Sequence, residues 1–438
     1  MKPIAAVLVL LATAGVSAQG DARLSSVVGT YCASCHNSRL TSPSGVLLEA
    51  FNPAQVANQP RLWARAYRQL QAGAMPPVGS PRPDRAAVDG ALLAIEMALG
   101  AEVTKPAAAS DDALATRLAT LLWNSAPDET LRQEAQRRRL NDPAALERQV
   151  RRMLADDRAQ AFVARFFFPW LQIDTLAMAD PDATHFPDWD PSLRDAFAKE
   201  TELFLLSQLC DDRDPVELWS ASYTFLNEPL AKHYGISGVS GPQFRRVVLT
   251  APERAGLLGQ GSVLMVTSRH QHGVDAGYTT PATRAKWVRL HYFGAPLPNG
   301  FPGAQPVKPE LPITPQTRAL PVEPCVNCHR NFFPIGYALE NFDPIGRWRT
   351  QDQSGPVDVS GEFVDGTATN GVVELRRVLL QYPEAFRTTL IESLLTYASS
   401  GSAPGTPGTP DTLAEARRIL RATPAPRWST LIAAVVRQ

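Results

Sequence analysis

Cys32-Ala33-Ser34-Cys35-His36 places two cysteines one helical turn apart and a histidine directly after the second. Two thiols at this spacing can each form a thioether to a vinyl group of haem, and the adjacent imidazole then reaches the iron. The same pattern returns at Cys325-Val326-Asn327-Cys328-His329. The two stretches therefore predict two covalently attached haem c groups. The cofactor-binding residues would be Cys32, Cys35 and His36 for the first haem and Cys325, Cys328 and His329 for the second.

Zinc is the other group that cysteine and histidine at this spacing can bind, but each site would need two further ligands close in space. The start of the chain favours haem. Residues 1–18 have the features of a secretory signal peptide, with Lys2 before an apolar run and a small-residue cleavage site at Val16-Ser17-Ala18. The apolar run is too short to span a bilayer. We therefore expect a periplasmic protein without a transmembrane anchor, in the compartment where c-type haem is attached.

The overall charge is balanced, with 43 Lys and Arg against 43 Asp and Glu in 438 residues. Proteins that bind nucleic acid without specificity, or bind membrane surfaces through basic patches, need a clustered cationic field. The balance argues against both classes, so we expect no nucleic-acid partner. A chain of this length predicts two or three domains. We place a small cytochrome c domain at residues 19–100, a helical central domain at 101–293 and a C-terminal domain with the second haem at 294–438.

The sequence pattern predicts a mainly α fold. Apolar residues recur at helical spacing, for example in Leu193, Phe197 and Leu203. Helix starts are indicated at Asp214-Pro215 and by a capping box from Thr412 to Glu415. Residues 355–371, with apolar residues between glycines and aspartates, predict a small β-hairpin. Cys210 occupies an apolar position of a helical pattern, and we expect it to be buried.

Met75, in the stretch Gly73-Ala74-Met75-Pro76-Pro77, is the expected second axial ligand of the first haem iron. A methionine in a Pro-rich loop downstream of the motif resembles small class I cytochromes c, in which the motif helix and a C-terminal helix, here residues 84–99, clasp the haem. Met97 competes for the role, but its helical position predicts a place in the core. Histidine–methionine ligation fills both axial positions and suits electron transfer.

The second haem has no obvious sixth ligand, because the chain beyond His329 contains no Met, His or Lys. The ligand must then come from an upstream residue or a tyrosine, or the iron has an open position. His270 and His272 stand out because they interrupt an otherwise apolar pattern. The candidates are His185, His233, His270, His272, His291, Met265, Tyr337, Tyr382 and Tyr397.

From about residue 110 onward the chain resembles the large exported bacterial cytochromes first catalogued in planctomycetes, whose central and C-terminal parts are named only as domains of unknown function. The resemblance rests on several motifs: Glu200-Thr201-Glu202, Tyr223-Thr224-Phe225-Leu226-Asn227, Leu230-Ala231-Lys232-His233-Tyr234-Gly235, Arg254, Arg284-Ala285-Lys286-Trp287 and Pro334-Ile335-Gly336-Tyr337. It implies haem binding and redox work without naming a substrate. Because His233 lies inside a matching motif, the resemblance favours it over the other histidines as an iron ligand.

Two functions follow from these patterns. The first is electron transfer by a dihaem c-type cytochrome, whose partner would be a redox protein or a small-molecule electron donor or acceptor. The second is a haem-dependent oxidoreductase, peroxidase- or oxygenase-like, in which an open second iron is the catalytic site. In a third hypothesis, the second haem has only a structural role and stabilises a binding module.

Overall fold

The structure is a computed structural model, and it describes residues 20–40, 46–77, 79–100, 108–179, 181, 184–268, 279, 281–296, 332–352 and 355–438. The signal-peptide prediction, the second haem motif, His270 and His272 lie outside the described residues. Helices make up 58% of the structure and strands 6%, which confirms the mainly α fold. Within the described ranges, no helix has both the length and the apolar character of a membrane span.

The N-terminal part is a small group of helices around its own apolar cluster. Its first helix, α1, covers residues 20–27 and continues into a π-helical turn, Val28–Cys32. The other helices are α2 (Gln55–Asn58), α3 (Pro60–Gln71) and α4 (Arg85–Gly100). The expected helix at residues 84–99 is therefore present. Leu413 and Ala414, far along the chain, complete this N-terminal cluster.

Side-chain caps define the helices of the central part. Ser110 and Asp128 accept hydrogen bonds from the first turns of the helices that follow them. The α-helices are α5 (Asp111–Trp123), α6 (Glu129–Gln136), α7 (Pro143–Leu154), α8 (Gln160–Phe162), α9 (Phe168–Trp170) and α10 (Ser192–Cys210), with a π-helical turn at Val163–Phe167. Short 3₁₀ turns occur at Asp157–Ala159, Ile173–Met178 and Pro215–Trp219. Asp214 caps the last of these turns, as its sequence predicts.

A two-stranded antiparallel sheet lies between α10 and the next helices. Its strands β1 (Tyr223–Leu226) and β2 (Arg245–Val248) pair with Tyr223 opposite Val248. The helices are α11 (Glu228–Tyr234), α12 (Gly261–Val266) and α13 (Pro281–Phe293), with 3₁₀ turns at Pro252–Arg254 and Leu257–Gly259. β1, α11 and α12 all pack on α10, so three segments meet along that helix.

The C-terminal part combines helices with the expected hairpin. Strands β5 (Ser360–Glu362) and β6 (Ala368–Asn370) pair antiparallel, which confirms the hairpin, and β3 (Gln351–Asp352) pairs with β4 (Gly355–Pro356) just before it. The helices are α14 (Phe333–Tyr337), α15 (Val372–Leu379), α16 (Pro383–Ser400), α17 (Pro410–Ala422) and α18 (Trp428–Val436). The main apolar cluster extends from α5 to α18 and includes Trp170, Trp219 and Trp428.

Two burial predictions are wrong. Cys210 is exposed because it is the last residue of α10, and the neighbouring Leu209 takes the buried position instead. Met97 is 41% exposed, because the buried face of α4 is formed by Ala94, Ile95 and Leu99. Helical spacing identified the helices correctly in both cases but misplaced the face that meets the core.

Candidate haem site

The first cysteine motif forms a tight turn at the end of α1. The backbone N–H groups of Cys35 and His36 donate to the carbonyl of Cys32 at 3.1 and 2.9 Å. The side chain of Asn37 closes the turn by donating to the carbonyls of Ala33 and Ser34 at 2.9 and 2.8 Å. One helical turn therefore carries both cysteines and the histidine, as thioether attachment to a single haem requires.

Neither cysteine of this turn is in a disulfide. Cys35 is exposed, whereas Cys32 packs against the N-terminal cluster. Burial, with a smaller contribution from Cys35, raises the pKa of Cys32 to about 11. Burial therefore favours the neutral form of the Cys32 thiol.

The ring of His36 is oriented by a loop of the backbone. Nδ1 lies 3.3 Å from the carbonyl oxygen of Val46, and the carbonyl of His36 accepts the N–H of Leu48 at 2.7 Å. A carbonyl can only accept, so Nδ1 carries the proton and Nε2 keeps its lone pair. Metal-binding histidines are commonly held in this way, with the other ring nitrogen donating to a backbone carbonyl. The ring is thus prepared to coordinate iron through Nε2.

Apolar side chains around this turn are open to solvent. Leu40, four residues after His36, and Leu47, next to Val46, are 52% and 58% exposed. Exposed large apolar side chains are candidates for contact with a bound ligand.

Met75 lies in the loop that follows α3. The N–H groups of Ala74 and Met75 donate to the carbonyl of Gln69 at 2.8 and 3.3 Å. Ala74 is buried and Met75 is 37% exposed, so the methionine side chain is the member of this loop that faces outward. The contacts that fix the loop come from Arg82 and the C-terminal hairpin. Coordination of iron by Met75 stays a prediction.

Within the described residues, no group of three or more His, Cys, Asp or Glu side chains gathers in the manner of a metal site. A zinc site at Cys32 and Cys35 would need two further ligands beside them.

The surroundings of the second motif are described from Phe332 onward. α14 packs against the start of α13 so closely that an added Cβ at Gly336 would stand 2.0 Å from the carbonyl oxygen of Pro281. Arg284, fully buried on α13, donates to the Glu340 carboxylate at 3.2 Å and to the carbonyl of Phe342 at 2.9 Å. Arg349 also donates to the Glu340 carboxylate, at 3.1 Å. The segment that follows the second motif is therefore held by hydrogen bonds from two arginines.

His233 lies at the end of α11, with its ring against Phe197. Its Nε2 is 2.7 Å from the carbonyl of Ile345, so Nε2 carries a proton and donates, while the buried Nδ1 has no hydrogen-bond partner. Burial lowers the pKa of His233 to about 4, which keeps the ring neutral. A ligand role would therefore use Nδ1 or require the contact with Ile345 to break. His291 has both ring nitrogens against carbonyls, those of Trp287 and Trp170, at 2.7 and 2.5 Å.

A buried polar cluster on α10 brings together the motif residues that carry the family resemblance. The Glu200 carboxylate accepts the hydroxyl of Thr224 at 2.6 Å and that of Tyr234 at 2.5 Å. The Tyr234 oxygen in turn accepts the backbone N–H of Gly261 at 2.6 Å, and the guanidinium of Arg254 covers the Tyr234 ring at 4.1 Å. Burial raises the pKa of Glu200 to about 7, against the opposing effect of these hydroxyls and of Arg254. The cluster joins α10, β1, α11 and α12.

Arg82 does not stand out in the sequence, where its only signal is its place between two prolines near the Met75 loop. Glu200 and Arg254 stand in the motifs of the family resemblance, but no local pattern indicates their structural role.

Comparison with known proteins finds two regions of similarity. Residues 110–236 match the family described as "PSD4: Protein of unknown function (DUF1592)", and residues 254–352 match "PSCyt3: Protein of unknown function (DUF1588)". No curated protein and no solved structure matches the chain. Glu200 and Tyr234 belong to the first region and Arg254 and Gly261 to the second, so the buried cluster is where the two regions meet. The central part of this chain is therefore similar to two protein families of unknown function. In this structure the two matched regions contact each other at the buried Glu200 carboxylate.

Proposed function

We propose that this protein is a periplasmic dihaem c-type cytochrome that transfers electrons. The observation that carries the proposal is the His36 ring, whose Nδ1 lies against the carbonyl of Val46 in the turn that also carries the two cysteines. The two matched families are associated with cytochrome c-type proteins, which agrees with this function.

Haem c, when bound, supplies an iron that gains and loses one electron. The residues of the chain tether and orient it. Cys32 and Cys35 would hold the porphyrin covalently, and the Val46 contact would keep the His36 ring in the orientation for coordination. Met75 would supply a second protein ligand to the iron.

The second motif, Cys325 to His329, would hold the second haem. A redox protein or a small-molecule electron donor or acceptor is the expected partner. Because the chain has 43 basic and 43 acidic residues, its net charge does not indicate whether the docking surface of the partner is positive or negative.

A haem-dependent oxidoreductase is the second candidate, and one observation favours it. His233 and His291 both have Nε2 against a backbone carbonyl, so neither offers a free Nε2 lone pair to the second iron. Electron paramagnetic resonance of the oxidised protein separates the two functions. Two low-spin haems support electron transfer, whereas a high-spin haem that shifts on adding cyanide supports the enzyme.

Haem attachment itself is tested by expressing the full chain in a host that matures c-type cytochromes and staining a denaturing gel for haem. The wild type should carry two haems by pyridine haemochrome quantification, and the Cys32→Ser/Cys35→Ser variant one. Cys210→Ser is the matched control, because Cys210 is an exposed cysteine outside both motifs. A wild type with no covalent haem would overturn the proposal.

A further inference from the structure

A single guanidinium clamps the loop that carries Met75. Arg82 donates to the carbonyl of Pro76 at 2.6 Å and also to the carbonyl of Gly73. These two carbonyls lie on either side of Met75 in the sequence. Arg82 also donates to the carbonyl of Val364, at 2.7 Å, in the C-terminal hairpin between β5 and β6. The same side chain therefore fixes both flanks of Met75 and joins them to a segment almost three hundred residues away.

Two groups of the C-terminal part surround this guanidinium. The Tyr382 hydroxyl donates to the Asp365 carboxylate at 2.6 Å. It also lies 3.5 Å from the point where a Cβ would stand on Gly73, a residue with φ of +62°. Burial lowers the pKa of Arg82, and Tyr382 and Asp365 oppose this by favouring its charged form. The pair thus keeps a half-buried cation in place beside the loop.

We propose that Arg82 is a positioning residue for Met75 as an iron ligand, and that Asp365 and Tyr382 hold Arg82 in the position this requires. Methionine coordination at the N-terminal haem then depends on the C-terminal hairpin. The inference rests on the proposed function, since it needs a haem on Cys32 and Cys35.

The physical reason is the geometry of the guanidinium. Its planar fork donates to several carbonyls at once, which a lysine ammonium on a flexible stem cannot reproduce. Without the fork, the carbonyls of Gly73, Pro76 and Val364 lose a charge-assisted donor. The loop would then be held mainly by the Gln69 carbonyl at its start, and Met75 would compete less well with other ligands for the iron.

The test measures the sulfur-to-iron charge-transfer band of the oxidised protein, which reports methionine ligation directly. Imidazole is titrated until the band is lost, in wild type, Arg82→Ala, Arg82→Lys and Tyr382→Phe. Arg82→Ala should lose the band at an imidazole concentration about tenfold lower, as expected for the loss of a charge-assisted hydrogen bond. Arg82→Lys and Tyr382→Phe should lose the band at imidazole concentrations between those of Arg82→Ala and the wild type. Arg137→Ala is the matched control, because the Arg137 side chain is 56% exposed and pairs with Glu134 at the end of α6.

The outcomes separate this inference from the proposed function. A haem-stained wild type that lacks the band, or whose band survives Met75→Ala, would overturn Met75 as the ligand and this inference with it, but not haem attachment. Equal imidazole sensitivity in Arg82→Ala and Arg137→Ala would also overturn it. If Arg82→Ala does not fold, Tyr382→Phe decides: an unchanged band and reduction potential there count against the inference, and a lowered potential supports it.

Discussion

Arg68 and Glu392 form an ion pair at 2.5 Å, with side chains only 6% and 3% exposed. Arg68 lies on α3 and Glu392 on α16, so the pair joins the N-terminal helices to the C-terminal part. The guanidinium also donates to the carbonyl of Gly408 at 2.9 Å, just before α17. A second buried carboxylate, Glu96 on α4, accepts from Tyr67 and from Arg417 of α17, each at 2.7 Å. The N-terminal helices are therefore attached to the C-terminal helices through buried charges.

Removing one partner of the Arg68–Glu392 pair should be strongly destabilising. Arg68→Ala leaves the Glu392 carboxylate buried without its cation, which typically costs about 3–5 kcal/mol of unfolding free energy. Arg85→Ala removes an exposed pair on one helix and should cost at most about 0.5 kcal/mol. Urea unfolding of both variants measures the difference. Similar costs would show that the buried pair does not stabilise the junction.

The pKa of Glu200 predicts a pH-dependent stability. Burial raises the pKa of this carboxyl from 4.5 to about 7 in the folded chain, so the folded state binds the proton more tightly than the unfolded state. The stabilisation is complete below about pH 4.5 and is lost as the pH rises to about 7. Glu200→Gln should flatten this part of the profile, by at most about 3 kcal/mol.

The measurement is urea unfolding of wild type and variant across that pH range. Glu129→Gln is the control, because hydrogen bonds from Gln133 and Arg132 lower the pKa of this exposed carboxyl. Because the pKa of Glu129 lies below 4.5, this carboxyl changes the stability only at more acidic pH than Glu200 does. The Glu129→Gln variant should therefore leave the Glu200 slope unchanged. A Glu200→Gln profile parallel to that of the wild type would contradict the prediction.

Thiol labelling counts the cysteines that do not carry haem. Cys210 is exposed, so a maleimide should label it in the native protein. If the four motif cysteines are thioethers, the unfolded wild type should take up a single label and Cys210→Ser none. Mass spectrometry of the labelled chains gives the count. Additional labels on the unfolded chain would mean that one motif is not loaded.

Local patterns predicted the elements well and their contacts poorly. The hairpin at 355–371 and the capping Asp214 follow from neighbouring residues alone, and both are present. The predicted start at Thr412 is wrong: α17 begins at Pro410, because Thr409 caps it and the proline fits the first turn.

The candidate site also has residues that the local sequence predicts and residues that it does not. The Cys32–His36 turn can be recognised from the sequence, because five consecutive residues define its motif. Arg82 is not, since its role depends on Val364 and Tyr382, which the fold brings to it from far along the chain. Cys210 shows the same limit, because helical spacing does not tell where a helix ends relative to the core.

Gly336 tests the packing that follows the second motif. A Cβ at this position would stand 2.0 Å from the backbone oxygen of Pro281, so Gly336→Ala must push α14 away from α13. Overpacking of this kind costs about 1–3 kcal/mol, and backbone on both sides leaves little room to relax. Gly405→Ala is the control, because nothing lies within 4 Å of its added Cβ. Thermal unfolding should show a loss of stability for Gly336→Ala and little change for Gly405→Ala.

Because α14 begins four residues after His329, the absorption spectrum of the proposed second haem should change in Gly336→Ala alone. Equal stability and unchanged spectra in both variants would mean that α13 and α14 do not support the second site.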